Sequence, residues 1–165
     1  MTLPLIQQQK DQIKAIFELA EGLNLGKYGT IQVAPQAAAV ARLSEYLCVR
    51  VAGFVEQSTR EVFREMARRG PSQQLSNFVV SRTGRDRNVN SEILCQITGQ
   101  FDGGWRHQLE VFLGDKNRGD SLDSVVRNRH KIAHGQSVSI GLVQIKDWYE
   151  RIVEIIDFLE HMVLT

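Results

Sequence analysis

The chain has 165 residues, of which 42% are hydrophobic and 24% charged, a balance that fits one soluble domain with its own core. A formal net charge of +1 excludes a bulk polycation, and no apolar run approaches the ~20 residues needed to cross a bilayer. Cys48 and Cys95 stand in apolar surroundings and read as buried thiols of a reducing cytoplasm rather than a disulfide framework.

The opening residues, Met1 to Gln9, lack a basic n-region and an apolar h-region, so no signal peptide is expected. A first helix is predicted from about Leu5 to Gly22, with Ile6, Ile13, Ile16, Phe17 and Ala20 on its apolar stripe. A Gly-rich connection follows, with Gly26 and Gly29; its Thr30-Ile31-Gln32-Val33 alternation is too short to be read as a strand. The longest helix is predicted from Pro35 or Gln36 to Arg69, carrying Ala39, Leu43, Tyr46, Leu47, Val51, Phe54, Val55, Ser58, Val62, Phe63 and Met66. Gly70-Pro71 ends it. Glu56 lies close to this apolar face; it either orients Arg129 or, as is more usual for such a residue, pairs from an exposed position with Arg60 at i+4. A short helix over 72–81 and a basic loop over 82–88 come next. From Arg60 to Arg87 seven arginines (60, 64, 68, 69, 82, 85, 87) face three acids (Glu61, Glu65, Asp86), a net +4 that suits nucleic acid. Ser91 and Glu92 open a further helix, Phe101 to Gly104 breaks it, and Trp105 to Leu113 is helical again. Asp120 or Ser121 is expected to cap the next helix, and Leu142 to Val163 forms the last.

The penultimate helix carries the chemistry. Its end reads Val125-Val126-Arg127-Asn128-Arg129-His130-Lys131-Ile132-Ala133-His134-Gly135. At helical period, Leu122, Val125, Val126, Ile132 and Ala133 share one stripe with Arg129 at its centre. An arginine there must find a partner or line a cleft. His130 and His134 are four apart and project from neighbouring turns, and Gly135 reads as the helix stop. Arginine grips phosphate bidentately and histidine moves protons near neutral pH, so Arg129 and His134 make a minimal kit for cutting a phosphodiester without metal.

This Arg-x4-His string, with a polar residue after the arginine and a long amphipathic helix behind it, resembles the signature of the HEPN superfamily. The layout from about Ala37 to Thr165 resembles the RiboL-PSP-type HEPN domains. The resemblance implies an all-α, HEPN-like up-and-down helical bundle with additional short helices. One domain over 1–165 is expected, with 1–35 as an N-terminal helix and connection and 36–165 as the core bundle. It further implies a metal-independent endoribonuclease, cutting RNA by 2′-OH attack at a site composed between two copies in a homodimer. Arg129, His134 and His130 would be its catalytic residues. Arg127 and Lys131 would bind substrate, with Asn128 and Glu56 supporting them from behind. A cytoplasmic toxin or antiviral-defence role follows from the same resemblance, with an antitoxin or defence protein as a possible partner and no membrane.

Other chemistries fit less well. His130-x3-His134 has the spacing of a helical metal pair, but Lys131 stands where a zinc protease carries Glu, and no further ligand cluster is apparent, so neither metal nor cofactor is expected. Neither a P-loop nor Gly-x-Ser-x-Gly is present. His107 and His161 read as packed or surface residues, and Trp105 and Trp148 as core. The alternative is a HEPN-fold module that binds RNA or protein without catalysis, an option left open by His130 standing where Asn is usual. A third reading is a purely structural helical dimer, and a lone arginine and histidine on a helix are most often a structural salt bridge and a satisfied polar edge.

Overall fold

A computed structural model describes residues 2–27, 29, 33–70, 79 and 88–165, with side chains placed for all of these but 33 and 34. Six helices are defined among them: α1 (Pro4–Asn24), α2 (Val33–Arg69), α3 (Ser91–Gly99), α4 (Gly103–Gly114), α5 (Arg118–Ala133) and α6 (Leu142–Leu164). No strand occurs among the described residues. The expected short helix over 72–81, apart from the buried, helical Val79, and the basic loop over 82–87 lie outside the described residues, as does 30–32.

The bundle is organised around α2, whose 37 residues span roughly 55 Å at 1.5 Å per residue. Leu47, Cys48, Val51, Phe54, Val55, Val62 and Phe63 are buried on it at helical spacing, and α1, α5 and α6 pack against that face. Ala39 and Tyr46, expected on the same stripe, are exposed. Both lie in the N-terminal half of α2, where Gln36 donates to the Leu23 carbonyl at the end of α1 and Ser44 is buried.

Helix α1 starts at Pro4, where a missing N–H costs nothing, and buries Ile6, Ile13, Phe17 and Ala20. Its polar edge is fastened to α6. The Lys10 ammonium meets Asp157 at 2.5 Å, and the Leu3 N–H donates to the Glu160 carboxylate. Tyr149 of α6 closes the layer: its ring lies 5.4 Å from Phe17 and 6.2 Å from Phe54, and its hydroxyl donates to the Lys10 carbonyl. Burial pushes that phenol up to about 12. Thus α1 contributes to the same core as the rest.

Two helix starts differ from expectation. The Gly103-Gly104 pair, expected to break structure, forms the first turn of α4, because Asp102 caps it by accepting from the Trp105 N–H at 2.9 Å. Helix α5 begins at Arg118, one turn earlier than a cap at Asp120 or Ser121 requires. Asn117 precedes it in a left-handed conformation (φ 57°) with no side-chain cap. The start is fixed by Arg118. Its buried guanidinium meets Glu154 at 2.7 Å and Asp115 at 3.0 Å, and lies 4.0 Å over the Phe112 ring, itself stacked on Phe158. A desolvated cation with two carboxylates and an aromatic face outweighs one cap hydrogen bond. No helix among the described residues is long and apolar enough to cross a membrane.

Candidate functional site at the end of α5

The motif lies where α5 leaves the core. Leu122 and Val125 are fully buried and Val126 nearly so, but Ile132 is half-buried and Ala133 exposed. The apolar stripe therefore runs out over the last turn, and that turn is where the chemistry-bearing side chains emerge. The buried Cys48 thiol of α2 sits 3.5 Å from the Val125 carbonyl and clamps the inner face of the helix just before the motif. Burial pushes this thiol up to about 12.

The helix end is closed by backbone bonds alone. Gly135 takes a left-handed φ of 69°; its N–H donates to Ile132, and the Gln136 N–H donates to Lys131 at 2.9 Å. Those two bonds form a Schellman motif. His134, expected in the last turn, is the C-cap residue, with its N–H on the carbonyls of His130 and Lys131. Because the backbone completes the cap, both imidazoles are free for other work.

His130 and His134 are brought together. Both are exposed, and their ring centroids are 4.4 Å apart at a tilt of 59°. Arg129 is half-buried and takes a different direction. Its Nη1 donates to the Asn88 side-chain oxygen at 2.9 Å, and among the described residues it forms no ion pair. No hydrogen bond or ring contact links Arg129 to either histidine. Five residues apart on a helix is about 140° around the axis, which accounts for the divergence.

The supporting residues are placed as follows. Glu56 does not touch Arg129 and makes no ion pair with Arg60. Its carboxylate instead accepts the Asn88 backbone N–H at 2.7 Å, so it reaches the arginine through Asn88. Asn128 turns back along α5 and donates to the Ser124 carbonyl at 2.8 Å. Arg127 is exposed, with Nη2 near the Ser124 hydroxyl at 3.2 Å, and Lys131 is exposed. Arg127, His130 and Lys131 border an open cleft of about 490 Å³ between α3 and α5, whose floor includes Ile93 and Val126. A second cleft of about 570 Å³ lies between α2 and the chain leaving the motif, lined by Arg42, Glu45, Ile132 and Gln136 among others.

The basic segment is only partly near this site. Arg64, Arg68 and Arg69 pair with Glu61 and Glu65 on their own helix. Arg69 lies about 30 Å beyond Cys48 along α2, at ~1.5 Å per residue. Arg82, Arg85 and Arg87 lie outside the described residues. Asn88, which joins Glu56 to Arg129, is the residue of this arrangement that sequence reasoning missed. Its signal was faint: an asparagine, one of the few side chains that tolerate a left-handed backbone, at the end of an arginine-rich stretch of sequence.

Among the described residues no group of three or more His, Cys, Asp or Glu side chains could hold a metal ion. No curated protein and no solved structure matches the chain. The sequence model of the RiboL-PSP-HEPN family matches residues 9–163, which extends the likeness from the expected start near Ala37 back into α1. With six helices, no strand among the described residues, and nearly the whole length covered, the chain belongs to the RiboL-PSP-HEPN family.

Proposed function

We propose that this chain is a metal-independent endoribonuclease whose site is completed when the motif helices of two copies meet, with 1–165 acting as one domain. The HEPN superfamily is generally associated with nucleases. The observation that carries the reading is the exposed His130–His134 pair, 4.4 Å apart, one helical turn from an arginine whose described partner is a neutral amide. One copy offers an acid–base pair and a cation that diverge. A two-fold arrangement supplies a second set facing the first.

In this reading the 2′-hydroxyl of RNA attacks the adjacent phosphorus. His134 of one copy takes its proton, the P–O5′ bond breaks, and the same residue of the second copy protonates the leaving 5′-oxygen. The products are a 2′,3′-cyclic phosphate and a 5′-hydroxyl. Arg129 stabilises charge on the non-bridging oxygens, Arg127 and Lys131 hold flanking phosphates, and His130 orients His134. Metal independence rests on there being, among the described residues, no third ligand grouped with the two histidines. A cytoplasmic toxin or antiviral-defence effector, checked by an antitoxin or partner protein, is the role that fits such an enzyme.

The test is an RNA-cleavage assay with an end-labelled oligonucleotide, run in excess EDTA, beside the same oligonucleotide carrying deoxyribose at each cut position. Cleavage that survives EDTA and stops at deoxyribose supports the proposal. RNA that is bound but not cut favours a non-catalytic binding module, the reading to which His130, in place of the usual Asn, points.

A further inference from the structure

Asn88 is unusual in three respects at once. It holds a left-handed backbone (φ 55°) although it is not glycine. Its N–H is taken by the Glu56 carboxylate at 2.7 Å. Its side-chain oxygen receives the Arg129 guanidinium at 2.9 Å. Each bond constrains the other: the Glu56 contact fixes the backbone in a conformation few residues tolerate, and that conformation aims the amide at Arg129.

We infer that Asn88 is a positioning residue that holds Arg129 for a phosphate without neutralising it; the inference rests on the ribonuclease reading for its consequence in catalysis. The chemistry of the intermediary is the argument. A carboxylate bound directly to Arg129 would hold the guanidinium as well, but it would cancel the charge and occupy the faces that a phosphate needs. The nearby carboxylate, Glu56, is spent on a backbone N–H instead. The amide oxygen that reaches Arg129 is neutral and engages one of five N–H donors; among the described residues the others have no partner and can take an anion. An arginine at this depth in an apolar stripe needs some partner, and a neutral one satisfies that need while preserving affinity for phosphate.

Two substitutions separate holding from charge. Asn88→Gly keeps the left-handed backbone without strain and removes only the acceptor. Asn88→Asp keeps an acceptor in the same place and adds a negative charge. Guanidinium NMR of Arg129, titrated with inorganic phosphate, reads the contact without reference to catalysis; kcat and KM on RNA read its consequence. In Asn88→Gly we expect the Arg129 Nη signals to pass to fast rotation, and kcat to fall about tenfold or more with a melting temperature near that of wild type. In Asn88→Asp we expect Arg129 to stay ordered, the phosphate-induced shift to shrink, and KM to rise about fivefold or more. Unchanged Arg129 signals in Asn88→Gly overturn the inference, as do wild-type kcat and KM in both variants. Failure of the wild-type chain to cut RNA would instead remove the ribonuclease reading, and the NMR and phosphate titration would still decide whether Asn88 holds a free arginine.

Discussion

Two side chains at the motif allow measurements at the residue scale. His134 is exposed and its backbone, not its ring, closes the helix. His134→Ala should therefore lower RNA cleavage by ~10²–10⁴-fold, the usual worth of positioned proton transfer, while leaving the melting temperature within a degree or two of wild type. Equal cleavage by the purified variant would sink the assignment. Cys48 behaves oppositely. Its thiol is buried and raised from 9.0 to about 12, and Cys95 from 9.0 to about 11. A thiol held protonated by burial contributes stability that is complete below its unfolded value and is lost as pH rises toward the folded one. The fold should thus weaken steadily from about pH 9 to 12, with Tyr149 adding to the loss above its ordinary 10.0. Melting curves across that range check this, and Cys48→Ala should flatten the slope.

At the scale of the element, the end of α5 and its start show how much was legible in the sequence. The Arg-x4-His spacing and the glycine stop could be read directly, because a left-handed closure and a period of 3.6 leave local traces. The true start could not, because Arg118 is set by Glu154, 36 residues away, and by the face of Phe112. Asn88 was hidden for the same reason: its bonds to Glu56 and Arg129 exist only once α2 and α5 are side by side. The helix stop makes its own prediction. A methyl at Gly135 would meet nothing within 4 Å, so Gly135→Ala carries backbone strain alone. We expect a loss of ~1–2 kcal/mol in thermal or urea unfolding. Gly135→Asn should lose less, since asparagine tolerates that conformation. Equal stability of Ala and Gly would show that the left-handed closure is not needed.

At the scale of the whole molecule, the divergence of Arg129 from the two histidines makes assembly the decisive question. We expect a homodimer that includes the last turn of α5. A standard-sized interface hides ~800 Å² per partner, a small part of the 9343 Å² that one copy exposes. Arg129→Ala should abolish cleavage and leave the dimer intact, because no carboxylate among the described residues is orphaned by its removal. Light scattering beside the cleavage assay tests both statements. A monomer at micromolar concentration that still cuts RNA would exclude a composite site. Loss of folding in Arg129→Ala would mark the arginine as purely structural.

The bond between the Leu3 N–H and Glu160 reaches beyond stability. It joins the beginning of α1 to the end of α6, and Thr2 and Thr165 line one hollow. The other end of α6, near Leu142, adjoins the stretch leaving the motif, so the two ends meet roughly 30 Å from the histidines, at ~1.5 Å per residue. Anything joined to either end, whether a tag, a regulatory module or a second copy in tandem, emerges from one corner of the bundle. A short peptide bridging that corner should permit a circular permutant opened elsewhere, and a fused cargo there would leave the histidine end clear.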